Sequence, residues 1–276
     1  MKIAVTGANG FLGVGVTEEL AGRGHEVVAV DRTCSRIVHA SSIIETSIFE
    51  MANPYLEMGE PDCVLHLAWR DGFKHNSEAH MEDLPLHIEF IRKLASSPLN
   101  RLAIMGTMHE VGYFEGGIRA ETPCNPQNMY GIAKNALRQA GETLSRDSGT
   151  NFLWLRGYYI VDNSPHGASI FSKICKAALE GRKSFPFTLG QSQYDFLDYP
   201  EFCSQVADVI VGDVKSGIYN ICSGSPEKLA DRVERFIMEN GFDIELEYGA
   251  FPDRPYDSPA VWGNKKELDA IGWRIE

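Results

Sequence analysis

Basic residues are scarce in this 276-residue chain: 26 Lys and Arg stand against 38 Asp and Glu, a formal net charge of −12. Nucleic acid and anionic membrane surfaces both need a basic face, so neither is an expected partner. Long apolar runs are missing too. None approaches the roughly 20 residues that cross a bilayer, and the opening MKIAVTGANG runs straight into a strand without the apolar centre of a signal peptide. A soluble, cytoplasmic protein is expected. The six cysteines (Cys34, Cys63, Cys124, Cys175, Cys203 and Cys222) never fall at CxxC spacing, which points to reduced thiols and leaves a zinc or redox site without support. No metal is expected. Repeats and low-complexity tracts are also lacking, so the chain should fold as one large α/β unit or as a main domain with a smaller lobe; we expect the second. The acidic balance sets one condition: a phosphate-bearing ligand must be held by local donors against an unfavourable overall field.

What is present is an alternation of short apolar runs with helical patterns, which predicts a parallel sheet flanked by helices. Strands are expected at 2–6, 26–30, 62–67, 101–105 and 152–156, and helices at 11–23, 84–96 and 129–147. Asp83 is placed to cap the helix at 84, because Pro85 is tolerated in a first turn. That leaves 70–82 as a polar loop at the C-terminal end of a strand, where open α/β sheets bind ligands. Beyond Arg156 the pattern turns irregular, with helices expected at 168–181, 200–212, 225–240 and 264–271 and a strand at 218–222. The division expected is 1–156 for a dinucleotide-binding domain and 157–276 mainly for a substrate-binding lobe, with strands near 190–221 rejoining the first sheet.

After the first strand comes TGANGFLG, with Gly7, Gly10 and Gly13 at three-residue intervals and a helix starting near Phe11. Glycines there permit a tight turn and close backbone approach to a pyrophosphate, while the helix N-terminus offers N–H donors. Asp31 ends the next strand, where a carboxylate accepts hydrogen bonds from the adenosine ribose hydroxyls and repels a 2′-phosphate. This favours NAD(H). Arg32 beside it keeps NADP(H) open, since a cation there accommodates the extra phosphate or stacks on adenine.

NMYGIAKNALRQ (128–139) places Tyr130 and Lys134 one turn apart on a helix face. A free phenol, with a pKa of about 10, is a poor acid–base at neutral pH; a neighbouring ammonium and an oxidised nicotinamide would stabilise the phenolate. YxxxK alone is common on helix surfaces, so its context decides its meaning.

TGANGFLG, Asp31, DCVLHLA ending at Ala68, a hydroxyl residue after the next strand, and YGIAK occur in an order that resembles the extended short-chain dehydrogenase/reductases, the NAD-dependent epimerase/dehydratase family acting on nucleotide sugars. LRGYYIV (155–161), QYDFLDYPEFC (193–203), GIYNICSG (217–224) and LDAIGW (268–273) continue the likeness over nearly the whole chain. The resemblance implies a Rossmann-type doubly wound parallel sheet with a smaller C-terminal substrate-binding lobe. It implies Tyr130 as general acid/base, Lys134 as the residue that tunes it and holds the nicotinamide ribose, and Thr107 as the hydroxyl on the reacting oxygen. Asn9, Phe11 and Leu12 would flank the pyrophosphate, and Leu67 and Ala68 the adenosine. Arg254 resembles an arginine that clamps the substrate diphosphate, its alternative being an ordinary surface residue; the partner implied is a nucleotide-diphosphate sugar. A homodimer through 84–96 and 129–147 is also implied. Two departures stand out: Ser47 lies where relatives often carry an adenine-contacting Asp, and His87 lies where they often show Asn. We expect His87 to be structural, and His66 to pack at its strand end.

The stretch GTMHEVGY (106–113) bears on the reaction. Dehydratases of the family resemble one another in a Thr-Asp-Glu triplet, and here the triplet is Thr107-Met108-His109. Methionine cannot protonate a leaving hydroxyl, so dehydration is disfavoured unless Glu110 substitutes. A 4-ketoreductase acting on a 4-keto, often 6-deoxy, nucleotide sugar is the favoured activity, a 4-epimerase the alternative, and a non-catalytic dinucleotide sensor a third reading. His109 either braces the loop or touches the substrate. Arg70, Lys74 and His75 belong to the polar loop, which is placed to close over substrate.

Overall fold

The structure is a computed structural model that describes residues 1–165, 167–252 and 258–272. Its first half runs β1 (Lys2–Thr6), α1 (Phe11–Gly22), β2 (Glu26–Asp31), β3 (Ser42–Glu45), α2 (Pro54–Glu57), β4 (Cys63–His66), α3 (Ala79–Ala95), β5 (Arg101–Thr107), β6 (Gly116–Ile118), α4 (Met129–Ser148) and β7 (Asn151–Gly157). There follow β8 (Tyr159–Val161), α5 (Ile170–Leu179), β9 (Ser184–Pro186), β10 (Gln193–Asp198), α6 (Tyr199–Val211) and β11 (Gly217–Ile221). The last elements are β12 (Pro226–Lys228), α7 (Leu229–Glu239), β13 (Glu245–Glu247), β14 (Ala260–Gly263) and α8 (Lys266–Ala270).

Seven strands form a sheet in the order β11-β7-β5-β4-β1-β2-β3, every pair parallel. Near-continuous apolar runs suit strands covered on both faces. Ile3 and Val5 point into the core shared with Leu20, Phe202 and Val206 of α1 and α6, while Ala4 points into the opposite core with Phe90 and Leu94 of α3 and Leu137 of α4. The chain winds outward from β1 to β3, then returns to β4 and winds the other way. The crevice at this reversal, beyond the C-terminal ends of β1 and β4, is where such sheets bind nucleotides.

A second sheet, β12-β10-β14-β6 with β8 joined to β10, has its own core around Phe171, Phe187, Phe196, Val233 and Phe236. β10 therefore lies in this second sheet, and β11 pairs with β7 in the first.

Two local expectations differ from the structure. The segment SIIE forms β3, an edge strand whose exposure leaves it without a buried apolar signal. Helix α3 begins at Ala79 rather than after Asp83, and Pro85 lies inside it. Pro85 is on the exposed side of the helix, where a carbonyl left open by its missing N–H costs least. Asp83 pairs with Arg70 instead of capping. Helix α4 starts as its sequence suggests, Asn128 accepting from Gly131 N at 2.8 Å, and ends at Gly149 with φ +80°. Among the described residues, no helix is long and apolar enough to cross a membrane, and no group of three or more His, Cys, Asp or Glu gathers to hold a metal.

Candidate active site

The turn between β1 and α1 is shaped by backbone contacts that leave no room for side chains. Gly7 has φ +72°, and a Cβ there would meet Ala68 N at 2.6 Å and the Leu67 carbonyl carbon at 2.9 Å; one on Gly13 would meet Gly7 O at 2.1 Å. Gly7, Leu67 and Ala68 are thus pressed together at the crevice, and Gly13 lets α1 pack on the turn. Gly10 is the N-cap and makes no side-chain cap hydrogen bond, so the N–H groups of the first turn, Phe11 and Leu12 included, remain the donors that a helix leaves unused at its start.

Asp31 accepts from Asn9 N at 3.0 Å and from Arg32 N at 2.7 Å, which holds the carboxylate beside the turn while leaving it further lone pairs. The cradle and the carboxylate fit a dinucleotide. Arg36, which the motif reading passed over, also lies there: its backbone N–H donates to Asn9 Oδ1 at 2.8 Å and its guanidinium to Asn9 O at 3.4 Å.

Thr107, Tyr130 and Lys134 meet at the C-terminal end of β5. Thr107 is buried, and its hydroxyl stands beside the Tyr130 phenol and accepts from His109 N at 3.3 Å. Gly131 permits the close approach of α4, since a Cβ there would meet His109 O at 2.3 Å. Lys134 is buried, donates to Met105 O at 2.9 Å, and lies 4.0 Å from the centroid of the Trp69 ring.

Among the protein's own groups burial dominates at the Tyr130 phenol and pushes it up to about 12, and the Thr107 hydroxyl beside it only partly opposes this. Burial also brings Lys134 down to about 7, against the pull of Glu110 in the other direction.

His109 stands 4.2 Å from the His75 ring and 6.1 Å from Tyr130, while His75 stacks on Tyr130 at 5.8 Å and accepts the Tyr130 backbone N–H at 2.8 Å. The polar loop therefore reaches the tyrosine through His75. Arg70 instead pairs with Glu82 and Asp83 on α3, and Lys74 with Asp71. His66 is buried between Thr6 Oγ1 (2.7 Å) and His87 Nδ1 (2.9 Å), so both histidines are packed in the core. Arg254 lies outside the described residues.

Glu110 is the candidate for a substitute acid. It is fully buried and accepts from Trp154 Nε1 at 2.8 Å and Arg156 Nε at 2.8 Å, with Arg156 itself bonded to Arg119 O at 3.0 Å. A carboxylate committed to a buried arginine is not available to protonate a leaving group. Next to the turn that follows β5 a pocket opens, lined by Met108, His109, Gln127, Asn128, Tyr159, Tyr194, Ser258 and Val261.

This parallel sheet, with a glycine cradle at its switch point and a hydroxyl, phenol and ammonium gathered beside it, defines a dinucleotide-dependent enzyme of the short-chain dehydrogenase/reductase class. Residues 3–222 match the NAD dependent epimerase/dehydratase family, and the chain belongs to that family. It is 41% identical over 271 residues to a dTDP-6-deoxy-L-talose 4-dehydrogenase (NAD(+)) of Aggregatibacter actinomycetemcomitans, covering 96% of this chain and all of that one. In fold it is similar to the UDP-glucose 4-epimerase of Thermotoga maritima with UDP-glucose (TM-score 0.86, 20% identity, 100% of this chain and 94% of that one). It is also similar to a dTDP-glucose 4,6-dehydratase of Streptomyces venezuelae with NAD bound (TM-score 0.85, 15% identity, 100% and 92%).

Proposed function

We propose that this protein exchanges a hydride between NAD(H) and C4 of a 6-deoxyhexose carried on deoxythymidine diphosphate, reducing the 4-keto sugar in one direction and oxidising the 4-hydroxy sugar in the other. The observation that carries the reading is the gathering of Thr107, Tyr130 and Lys134 at the end of β5, with Met108, not an acid, next to Thr107. The name of the 41% identical relative supports it. We assign the dinucleotide to residues 1–156 and the sugar nucleotide mainly to 157–276, with Arg254 as a diphosphate clamp.

Bound in the glycine cradle, the nicotinamide would supply and accept the hydride. Thr107 and Tyr130 would hold the C4 oxygen between their hydroxyls. With its pKa raised to about 12, Tyr130 enters as an acid, the form that protonates the alkoxide during reduction. Oxidation needs the phenolate, and therefore positive charge beside it: Lys134 is one source and an oxidised nicotinamide the other.

The C6 methyl of a 6-deoxy sugar is two bonds from C4, so it lies close to Thr107, where Met108 and the tyrosines of the pocket give it apolar walls. Asp31 favours NAD(H), while Arg32 and Arg36 are the residues that would receive the 2′-phosphate of NADP(H). We also read the protein as a homodimer through α3 and α4.

The test mixes purified protein, NADH and a dTDP-4-keto-6-deoxyhexose and follows nicotinamide absorbance. Stoichiometric oxidation of NADH is expected, lowered at least 100-fold in kcat by Tyr130→Phe. Tightly held NAD with no net consumption and an inverted C4 would replace this reading by a 4-epimerase. Dinucleotide binding with no turnover that depends on Tyr130 would make the protein a sensor.

A further inference from the structure

Trp69 follows Ala68 just past the C-terminal end of β4, outside the motifs that carry the family likeness. Its indole has Lys134 and His87 over the ring, and His80 and the Tyr130 ring beside it. Lys134 Nζ lies over the ring, 4.0 Å from the centroid. The His87 imidazole is stacked on it, with centroids 4.5 Å apart and planes 18° from parallel. At the edge, Nε1–H donates to His80 Nδ1 at 3.1 Å, and the other nitrogen of His80 meets the Lys74 carbonyl at 3.0 Å. With Nδ1 accepting from an indole N–H, which is donor only, and Nε2 donating to a carbonyl, His80 is a neutral imidazole of fixed tautomer.

The stack beneath the indole is neutral as well. Burial drives His87 down to about 3, and His66, which hydrogen-bonds it, well below its ordinary value. No cation therefore competes with Lys134 for the aromatic face. The groups facing the ammonium are His66 from β4, His87 from α3 and Glu110 from the turn after β5, and Tyr130, one turn back on its own helix, meets the same indole at its edge. Glu110 is committed to Arg156, and the Met105 carbonyl takes one of the three Lys134 N–H groups. The indole face supplies negative potential where a buried ammonium has little else to offset lost hydration.

We propose that Trp69 is a positioning residue: its indole face, clamped by His87 and His80, keeps the Lys134 ammonium charged and directed along α4 toward Tyr130. This rests on the reading of Lys134 given under the proposed function. The direction of the effect follows from the geometry, because a cation–π contact favours the charged form and its loss must lower the lysine pKa.

The test follows the 15N-labelled lysine side-chain resonance that disappears in Lys134→Met, together with the pH profile of kcat for NADH and a dTDP-4-keto-6-deoxyhexose. In Trp69→Leu the Lys134 titration should fall by about one pH unit. The alkaline limb of kcat should move to lower pH with it, with KM for the sugar nucleotide unchanged. Trp69→Phe keeps an aromatic face without the N–H and should restore most of both. Circular dichroism and melting establish that each variant is folded, and Trp69→Met repeats the measurement if the leucine variant is not. A folded Leu or Met variant with the wild-type titration and pH profile overturns the proposal, and a Phe variant displaced as far as Leu assigns the effect to the His80 hydrogen bond instead. If Lys134→Met keeps full activity, the assignment of Lys134 to the reaction fails while the titration still decides the contact with Trp69.

Discussion

The carboxylate of Glu110 accepts from Trp154 and Arg156 at zero exposure, on the turn that starts one residue past Thr107. Such a pair is worth little against an apolar substitute, yet removing one charge leaves the other buried and uncompensated. Gln in place of Glu110 keeps the shape and the acceptor but strands the Arg156 guanidinium. Glu110→Gln should therefore lose about 3–5 kcal/mol of stability, measured by urea unfolding; a loss under about 1 kcal/mol, the range of an exposed pair, would contradict the buried-pair account. Thr107, Tyr130 and Lys134 were legible in the sequence because their chemistry is confined to two short motifs. The role of Glu110 was not, since Arg156 lies 46 residues away and only the pairing of β5 with β7 brings the two together. Trp69 was illegible for a similar reason: its partners His87 and Lys134 come from α3 and α4.

At the scale of elements, a hydroxyl of α6 enters the backbone of α1. The Tyr199 Oη accepts from Gly15 N at 2.9 Å and donates to the Phe11 carbonyl. These are the two groups that a helix pairs as i and i−4, so the hydroxyl is inserted into the α1 ladder. Gly15 makes room for it, since a Cβ there would meet the Tyr199 hydroxyl at 2.6 Å, and the ring stacks on Phe11 at 4.9 Å. Tyr199→Phe should cost about 1–3 kcal/mol and weaken dinucleotide binding, because the turn it braces is the one proposed to face the pyrophosphate. Melting and NADH titration check both effects; unchanged affinity beside a lowered Tm would confine Tyr199 to stability. The main strands and α1, α4 and α6 could be read from apolar runs, caps and glycines. The helix start at Ala79 and the strand β3 could not. Pro85 suggests a first turn unless its solvent-facing side is known, and β3 carries an edge's polarity rather than a core's.

For the whole molecule, the proposed dimer opposes charge to apolar area. Leu86 on α3 and Met129 and Ile132 on α4 remain 46%, 43% and 42% exposed, an apolar set on the two helices through which association is proposed. Each copy carries a formal charge of −12, so bringing two together costs repulsion that falls as salt shortens the screening length from about 30 Å at 0.01 M to about 8 Å at 0.15 M. Burial of the apolar contact depends far less on such a change. Dimer affinity should therefore rise with ionic strength over this range, and Leu86→Glu with Ile132→Glu should give a monomer at both, as read by sedimentation equilibrium. A wild-type chain that stays monomeric at tens of micromolar, or a double variant that still dimerises, would remove α3 and α4 as the interface. Because α4 also carries Tyr130 and Lys134, activity in the monomeric variant measures how far the set depends on the helix being held from outside. Full kcat there would mean that Thr107, Trp69 and Gly131, all within one chain, suffice to place it.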